Sequence, residues 1–280
     1  MGGNMKNTIC EEEKCTGCCA CLNVCPKDCI TMEPNEFGHI MPVIDEKKCV
    51  HCNLCRKKCP VNNEFTGKES INAYAVYNLD KEDRKYSSSG GIATVFAREA
   101  IREKGVVFGS VVDEGINIVH KEITNKDGIE RLKGSKYVQS YIGESYRKAK
   151  EHLENGEKVV FIGTPCQVAG LNQYLGKDYN NLITADIICH GVPPMKYVKE
   201  HIDKIKKKIN TNITDLTFRG RNDFRFALYS NDKCVYSKSR EWDLYFRGFL
   251  KGLFYRDSCY TCDYANNKRV SDITIGDFWG

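Results

Sequence analysis

The fold of this chain is decided by two short cysteine-rich stretches near its start. They read CTGCCACLNVCP at 15–26 and CVHCNLCRKKCP at 49–60, and every cysteine and proline of the shared pattern recurs after 34 residues. Cysteines at this density must be oxidised in pairs, bound to metal or held reactive, and their spacing decides among these states. A repeat of this kind indicates a duplicated unit built around its thiols.

The shared pattern, C-x2-C-x2-C-x3-C-P, resembles the run of bacterial ferredoxins that bind two 4Fe-4S clusters. In such modules the fourth cysteine of each run ligates the cluster of the other run. The expected ligand sets are therefore Cys15, Cys18, Cys21 and Cys59 for one cluster, and Cys49, Cys52, Cys55 and Cys25 for the other. Two-residue gaps let a tight loop wrap a cubane, and the prolines turn the chain away after each crossing ligand.

A pair of zinc ribbons is the alternative, because C-x2-C repeated twice is also a zinc signature. Zinc has no use for a third cysteine at the next two-residue step or for the Cys-Pro that follows, so we favour iron-sulfur clusters. Cys10, Cys19 and Cys29 fall outside the pattern and are expected to be small buried residues near the clusters. The linking stretch ITMEPNEFGHIMPVI (30–44) predicts a short hairpin with His39 at its turn, where a histidine is more often solvated than functional, so no role is assigned to it.

The distribution of cysteines predicts two unequal domains. Eleven of the 16 cysteines precede Asn62 in a chain of 280 residues, which predicts a cysteine-rich module at 1–68 and a different domain at 69–280. The first residues lack the apolar region of a signal peptide, and no apolar run approaches the ~20 residues that span a bilayer. A cytoplasmic protein without a membrane span is therefore expected, with metal or redox chemistry in place of disulfides.

The formal charge of +5 does not indicate a nucleic-acid partner, because it counts every cysteine as neutral. An oxidised 4Fe-4S cluster with four thiolates carries about two negative charges, so two or three clusters would bring the total near zero. The lysine-rich stretch KEHIDKIKKKI (199–209) has isoleucines at helical spacing, and is expected to be a solvated helix face.

From about Ile71 the pattern changes to apolar runs that alternate with amphipathic helices. Such alternation predicts an α/β domain with a mixed sheet, and together with the N-terminal module the chain falls in the α+β class. The predicted strands are AYAVYNL (73–79), VVFGSVV (106–112), INIVHKEIT (116–124), KVVFIGT (158–164) and LITADIIC (182–189). The predicted helices lie within 86–105, where the apolar face begins at Ile92, and at 144–156, 165–176 and 194–209. The stretches 213–220, 224–230 and 233–239 predict an antiparallel extension.

Three loops at strand ends hold most of the predicted chemistry of this domain. The first loop is SSSGG, which comprises Ser87, Ser88, Ser89, Gly90 and Gly91. It precedes a helix, where free amides, hydroxyls and the helix dipole favour an anion such as the phosphate of a flavin or nucleotide. A serine N-cap followed by flexible glycines is an equally good interpretation. In the second loop, GTPCQ, Cys166 lies at a helix N-terminus, which lowers a thiol pKa and suits a metal ligand or a nucleophile.

The third loop, CHG, also ends a buried strand, so Cys189 and Cys166 are expected at one edge of the sheet. The stretch SCYTC adds Cys259 and Cys262 at cluster-like spacing. Together these four cysteines predict a third 4Fe-4S site, with zinc as the alternative because the spacing is scattered. Cys234 alternates within a predicted strand and is expected to be a packing residue.

Six motifs in the second domain resemble the coenzyme F-420 hydrogenase/dehydrogenase beta-subunit family. They are SSSGGIATVF, LKGSKYVQS, VVFIGTPCQVAGL, CHGVPP, SCYTCDYA and SDITIGDFWG, and they span the chain from about Ala73 to Gly280. The resemblance implies a flavoprotein, usually with FAD and an iron-sulfur cluster, that moves electrons between one-electron carriers and a two-electron acceptor. The acceptor differs among members and includes the deazaflavin F-420 and a chlorophyll-type pigment.

The resemblance also implies roles for the loops. A flavin is the expected junction, because it accepts electrons singly and delivers a hydride. SSSGG and the loop KGSKYVQS (133–140) are expected to contact its phosphates, with Lys133 and Lys136 supplying charge. Electrons are expected to enter at the ferredoxin module from a redox partner protein and to reach the flavin through the third cluster, although the reverse direction is equally allowed. Members of the family continue well beyond GDFWG, so a C-terminal portion is expected to be absent here.

A second function remains open at this point. The chain could be a non-catalytic electron-transfer subunit of a larger redox complex, binding clusters and a partner without flavin. The sequence identifies no catalytic residue, and it does not indicate the oligomeric state.

Overall fold

The structure of this chain is a computed structural model that describes residues 8–219 and 223–278. The first residues of the predicted 1–68 domain, the last residue of the predicted strand at 213–220 and the end of SDITIGDFWG lie outside the described residues. Among the residues that are described, no helix is long and apolar enough to cross a membrane.

The duplicated cysteine runs fold into matching pieces of backbone. Each contains a short helix, α1 (Ala20–Val24) in the first run and α2 (Leu54–Lys57) in the second. Each helix is preceded by a residue in the left-handed region, Cys19 with φ 62° and Asn53 with φ 60°. The 34-residue repeat of the sequence is therefore also a repeat of local structure.

The predicted hairpin between the runs is confirmed. Strands β1 (Ile30–Pro34) and β2 (Ile40–Ile44) pair antiparallel. The side-chain oxygen of Asn35 accepts hydrogen bonds from the backbone N–H groups of Phe37, at 3.1 Å, and His39, at 2.9 Å, which closes the turn.

The expectation that His39 is solvated was wrong. The residue is 6% exposed, because the hairpin packs against the second domain near Tyr255 and Arg256. Burial, followed by the positive charge of Arg256, lowers the pKa of the imidazole to about 4. The histidine is therefore neutral at physiological pH.

The second part of the chain alternates strands and helices, as predicted. The strands are β3 (Val106–Asp113), β4 (Asn117–Ile123), β5 (Val159–Gly163), β6 (Leu182–Ile187), β7 (Asp215–Arg219), β8 (Phe224–Ser230), β9 (Lys233–Ser239) and β10 (Ile273–Ile275). The helices are α3 (Lys81–Lys85), α4 (Ile92–Arg102), α5 (Lys126–Leu132), α6 (Ser145–Glu154), α7 (Pro165–Leu175), α8 (Met195–Ile209), α9 (Leu244–Leu250) and α10 (Asp257–Tyr260). The sequence pattern missed α3, α5, α9, α10 and β10, which are short.

A mixed sheet with the order β10-β6-β5-β3-β4 forms the centre of this part. Strand β4 is antiparallel to β3, and the other pairs are parallel. Alternate residues of β3 enter different cores: Val107 packs with residues of α4 and α5, and Phe108 packs with residues of α6 and α7. Helices therefore cover both faces, and the predicted mixed sheet is confirmed.

Two details of the strand prediction were wrong. Strands β7, β8 and β9 form a separate three-stranded sheet instead of extending the central one, because their apolar residues pack with α8 and α9. The stretch AYAVYNL is not a strand: Tyr74 is 77% exposed and Leu79 is 82% exposed. Its alternation suits a strand, but among the described residues it pairs with no strand, and the N–H of Asn78 donates to the carbonyl of Gly90 at 2.7 Å.

The cysteine-rich module shares a core with the second part. Cys18, Cys19 and Ala20 are buried in the same apolar cluster as Phe161 of β5 and Leu171 of α7. The guanidinium of Arg147 on α6 also donates hydrogen bonds to backbone carbonyls of the first cysteine run, at 2.8–3.1 Å. Burial of this apolar surface fixes the position of the module.

Gly170 marks the closest approach between the module and helix α7. A Cβ atom at this position would lie 3.0 Å from Cβ and 3.1 Å from Sγ of Cys18, and 2.8 Å from the hydroxyl of Tyr146. The glycine therefore lets the first cysteine run lie directly on the helix that carries Cys166.

Candidate iron-sulfur and cofactor site

The first thiol group comprises Cys15, Cys18, Cys21 and Cys59. All four are buried, with 7–8% of each residue exposed. The pKa of Cys21 is raised well above its usual value by burial and then by the neighbouring thiols, Cys18, Cys15 and Cys59 among them. The structure thus brings the fourth cysteine of the second run to the first run, as crossed ligation requires.

Cys10 adjoins this first group, although it is outside the repeated pattern. Hydrogen bonds to Cys15 and Cys59, together with burial, raise the pKa of Cys10 far above its usual value. The hydrogen bond between Cys10 and Cys15 lowers the pKa of Cys15 to about 6. Burial opposes this shift, and the positive charge of Arg256 adds to it. Cys10 lies near the first group, as predicted, but the prediction that it is buried was wrong, because the residue is partly exposed.

The second thiol group comprises Cys25, Cys49, Cys52 and Cys55, which line one small cavity. The crossing cysteine, Cys25, again lies with the opposite run. Cys29 lines the same cavity and is buried, with its Sγ 3.3 Å from Sγ of Cys25. Cys19 and Cys29 are therefore buried near the groups, as predicted, whereas Cys234 is exposed and its predicted packing role was wrong.

The third thiol group joins Cys166, at the N-terminus of α7, with cysteines from distant loops. Burial raises the pKa of Cys166 well above its usual value, its contact with Thr164 at 3.1 Å lowers it, and the thiols of Cys189 and Cys259 raise it. The expectation of a lowered pKa was wrong, because burial among other thiols outweighs the helix N-terminus.

Electrostatic effects also connect the other thiols of this group. The pKa of Cys189 is raised to about 12 by burial and then by Cys259 and Cys262. Burial, followed by the thiol of Cys262, raises the pKa of Cys259. Protein alone therefore disfavours the thiolate form here, and a cationic metal centre is the partner that would stabilise it.

The first and third groups adjoin each other. The thiol of Cys18 is among the charges that raise the pKa of Cys166. The phenol of Tyr264 is near both groups. Burial raises its pKa most, followed by the thiols of Cys166 and Cys18. Among the described residues, no three His, Cys, Asp or Glu side chains are arranged to hold a single metal ion.

A large cavity of about 1370 Å³ lies at the end of the central sheet where β5 leads into α7. Cys166 and Cys189 are on its wall. So are all the residues predicted to bind a flavin, namely Ser87, Ser88, Ser89, Gly90, Gly91, Lys133 and Lys136. The fold therefore places the SSSGG loop, the KGSKYVQS loop and two thiols of the third group around one space.

The N-terminus of helix α4 opens onto this cavity. Its N-cap is Gly91, with φ 72°, and no side chain caps it, so the serine N-cap interpretation was wrong. The hydroxyl of Ser88 instead accepts hydrogen bonds from the backbone N–H of Ser135, at 2.7 Å, and from its hydroxyl, at 2.9 Å. These bonds join the two predicted phosphate loops and leave the first amides of α4 without a side-chain partner.

The two lysines on the wall are held by protein groups. Lys133 Nζ lies 2.6 Å from carboxylate oxygens of both Asp83 and Glu130. Lys136 Nζ donates to three backbone carbonyls at the end of α5, at 2.9–3.2 Å, and burial lowers its pKa to about 7. Both lysines were predicted to contact a flavin phosphate, but their ammonium groups are already bound by groups of the protein.

Sequence reasoning missed two arginines that adjoin the thiols. Arg256 is 3% exposed and donates hydrogen bonds to the carbonyls of Cys15, at 3.1 Å, and Ile40, at 2.8 Å. Arg269 pairs with Asp186 at 2.9 Å and is a nearby positive charge for Cys189. Their closeness to SCYTC in the sequence could have identified them, because Arg256 precedes this stretch by two residues and Arg269 follows it by seven.

Comparisons with known proteins find matches to two parts of the chain. Residues 156–280 match the family model for the C terminus of the coenzyme F420 hydrogenase/dehydrogenase beta subunit, and residues 14–63 match the 4Fe-4S dicluster domain. Among solved structures, a chain of the F420-reducing [NiFe] hydrogenase complex from Methanosarcina barkeri is 19% identical, with a TM-score of 0.48. That comparison covers 75% of this chain and 73% of the other. A search of curated proteins finds no match.

Proposed function

Because residues 156–280 match the model for the C terminus of the coenzyme F420 hydrogenase/dehydrogenase beta subunit and residues 14–63 match the 4Fe-4S dicluster domain, we propose that this iron-sulfur electron-transfer protein is a flavin-dependent oxidoreductase. It would connect a one-electron carrier protein with a two-electron organic acceptor such as coenzyme F420. The observation that carries the proposal is that Cys166 and Cys189 share one cavity wall with the SSSGG loop.

The proposal assigns one 4Fe-4S cluster to each thiol group. Within a 1–68 ferredoxin domain, the first and second groups use crossed ligation, and the third group belongs to a 69–280 domain. Soft thiolate donors in sets of four suit iron-sulfur clusters. The buried thiols of Cys21 and Cys166 have raised pKa values, so binding of iron there would release protons and stabilise the fold. We also propose a cytoplasmic location, since a reducing compartment keeps such thiols reduced.

The proposal assigns FAD to the large cavity. Its volume of about 1370 Å³ exceeds the ~300–1,000 Å³ of ordinary small-molecule pockets, which leaves room for a dinucleotide. A flavin bound there would supply the exchange between single-electron and hydride chemistry. The amides at the N-terminus of α4 would bind its phosphates, and the Ser88–Ser135 hydrogen bonds hold the surrounding loops in place. Lys133 and Lys136 then contribute mainly by fixing the loop.

The test is the cofactor content of protein purified anaerobically and reconstituted with iron, sulfide and FAD. We expect about 12 irons per chain, because three 4Fe-4S clusters are bound, and flavin absorbance near one equivalent. A content of about 8 irons per chain would contradict the proposed third cluster. Zinc bound in its place would contradict the proposed electron-transfer role of the third thiol group.

A single substitution separates flavin binding from cluster binding. Ala93 lies on the cavity wall in the first turn of α4. Ala93→Glu places a negative charge where a phosphate is proposed, while the charge itself favours the helix N-terminus. We expect it to abolish flavin binding with the iron content unchanged, whereas Ala93→Gln, of equal size, retains flavin. Wild-type protein with full iron and no flavin would instead support the electron-transfer subunit without flavin.

A further inference from the structure

Of the two thiol groups of the cysteine-rich module, the second is the one that reaches the molecular surface. Cys52 is exposed and Cys49 and Cys55 are partly exposed, whereas each member of the first group is at most 8% exposed. Electron-transfer rates fall steeply with distance, so a protein carrier must approach a redox group where that group meets the surface. In this module that place is the loop around Cys52.

Apolar side chains surround the exposed thiols. Val50 is 55% exposed and Leu54 is 36% exposed, and both line the cavity formed by the second group. Exposed apolar residues that occur singly need no explanation, but these two adjoin the same three partly exposed cysteines. They form the apolar centre of a small patch.

Basic side chains border this centre. Lys27 and Arg56 line the same cavity as the cysteines, and Lys57 is exposed on α2. The segment 45–58 holds five basic and two acidic residues. Of the nearby acids, Asp28 and Asp45 already pair with basic partners, at 2.6 Å and 3.6 Å. We call the surface formed by Lys27, Val50, Leu54, Arg56 and Lys57 the entry face.

We propose that the entry face binds an acidic one-electron carrier protein and brings its redox centre to the second thiol group. This inference rests on the proposed electron-transfer function. An apolar centre inside a charged rim is the usual composition of a protein interface, and redox partners use small interfaces of under ~1,200 Å². A positive rim accelerates encounter with a negative carrier, and salt weakens the attraction because the rim is exposed.

The test compares two charge-reversed variants that change the net charge equally. Lys27→Glu/Lys57→Glu alters the entry face. Lys204→Glu/Lys207→Glu alters exposed lysines of α8, well along the helix from Lys196, whose Nζ contacts the hairpin. The probe is an oxidised two-cluster ferredoxin of strongly negative net charge, titrated into each anaerobic holoprotein in a calorimeter at low and high salt. Iron content and the electron paramagnetic resonance (EPR) spectrum check that each variant is intact.

We expect the entry-face variant to raise the Kd for ferredoxin at least tenfold at low salt, and to bind like wild type at high salt. The α8 variant should stay within threefold of wild type. Equal Kd values for wild type and the entry-face variant, or equal weakening in both variants, would overturn the proposal. If the entry-face variant loses iron, Lys27→Gln/Lys57→Gln replaces it, with an expected increase of threefold or more.

Reduction by methyl viologen radical separates this inference from the function on which it rests. This small cation does not depend on docking at the entry face, so neither variant should be reduced by it more slowly than wild type. Wild type that is reduced by viologen but does not bind ferredoxin would overturn the entry face alone. Wild type with full clusters that viologen fails to reduce would overturn the proposed electron-transfer function itself.

Discussion

Replacing Arg256 tests how the two parts of the protein are joined around the first thiol group. The guanidinium donates to the carbonyls of Cys15 and Ile40 and, at 2.8 Å, to the side-chain oxygen of Gln139. It is 3% exposed, and among residues 8–219 and 223–278 no carboxylate forms an ion pair with it. A buried cation needs a negative partner, and the nearby negative charge is that of the first group when it is ionised or bound to iron.

Arg256→Met should therefore have two separate effects. It removes hydrogen bonds to three acceptors, of which the carbonyl of Cys15 keeps a second bond, from the hydroxyl of Ser258 at 3.2 Å. The two acceptors that lose their donor cost about 1–3 kcal/mol each, so the expected loss of unfolding free energy is about 2–5 kcal/mol. It also removes a positive charge near the first group. At an effective dielectric constant of about 20 this is worth about 1–2 kcal/mol, which lowers the reduction potential of that group by about 40–90 mV.

The measurements are a thermal unfolding curve and an EPR-monitored redox titration of anaerobic holoprotein. Arg256→Lys keeps the positive charge but lacks the several N–H donors of the guanidinium. It should therefore lower the stability while leaving the reduction potential of the first group close to that of wild type. Arg147→Met is the matched control, because Arg147 also donates to module carbonyls but is balanced by Asp28 at 2.6 Å. An unchanged potential in Arg256→Met, or an equal shift in the Arg147 variant, would refute the assigned role of the Arg256 charge.

Three further predictions concern the packing, the ligands and the ion pairs. Gly170→Ala should destabilise the protein by about 1–2 kcal/mol, because the added methyl group crowds Cys18 and this outweighs the gain of up to ~1 kcal/mol in helix propensity. An unchanged melting temperature would contradict this prediction. Cys25→Ser should alter the EPR signal of the second group and Cys59→Ser that of the first, and damage confined to the mutated run would show that ligation is not crossed. Asp83→Asn should cost about 3–5 kcal/mol at neutral pH, because two basic partners lose a buried carboxylate whose pKa they hold below its usual value. That contribution is fully present above about pH 4 and disappears as the pH falls further, so a stability difference independent of pH would refute it.

The sequence by itself determined the iron-sulfur module and most of the central elements. Spacing within the cysteine runs is a local property, and a duplicated local pattern folds into duplicated local structure, as the helices α1 and α2 demonstrate. The strands β3, β4, β5 and β6 and the helices α4, α6, α7 and α8 followed from hydrophobic periodicity, because each is long enough to show its period.

Other features were decided only when distant segments packed together. The stretch AYAVYNL has the alternation of a strand, yet among the described residues it pairs with no strand, whereas β10, whose three residues carry almost no pattern, forms one edge of the central sheet. The pKa of Cys166 followed its burial among other thiols instead of its position at a helix N-terminus. The charge of Lys133 was predicted to face a ligand, yet Asp83, 50 residues earlier, neutralises it.

The sequence therefore supplied the chemical groups, and the tertiary structure decided their surroundings. Burial, charge pairing and access to solvent depend on which segments meet, and no local spacing encodes them. The spacing of Cys49, Cys52 and Cys55 equals that of Cys15, Cys18 and Cys21, yet only the second run reaches the surface. The difference arises because the first run packs against β5 and α7, which exclude water from one half of a sequence repeat and leave the other half exposed.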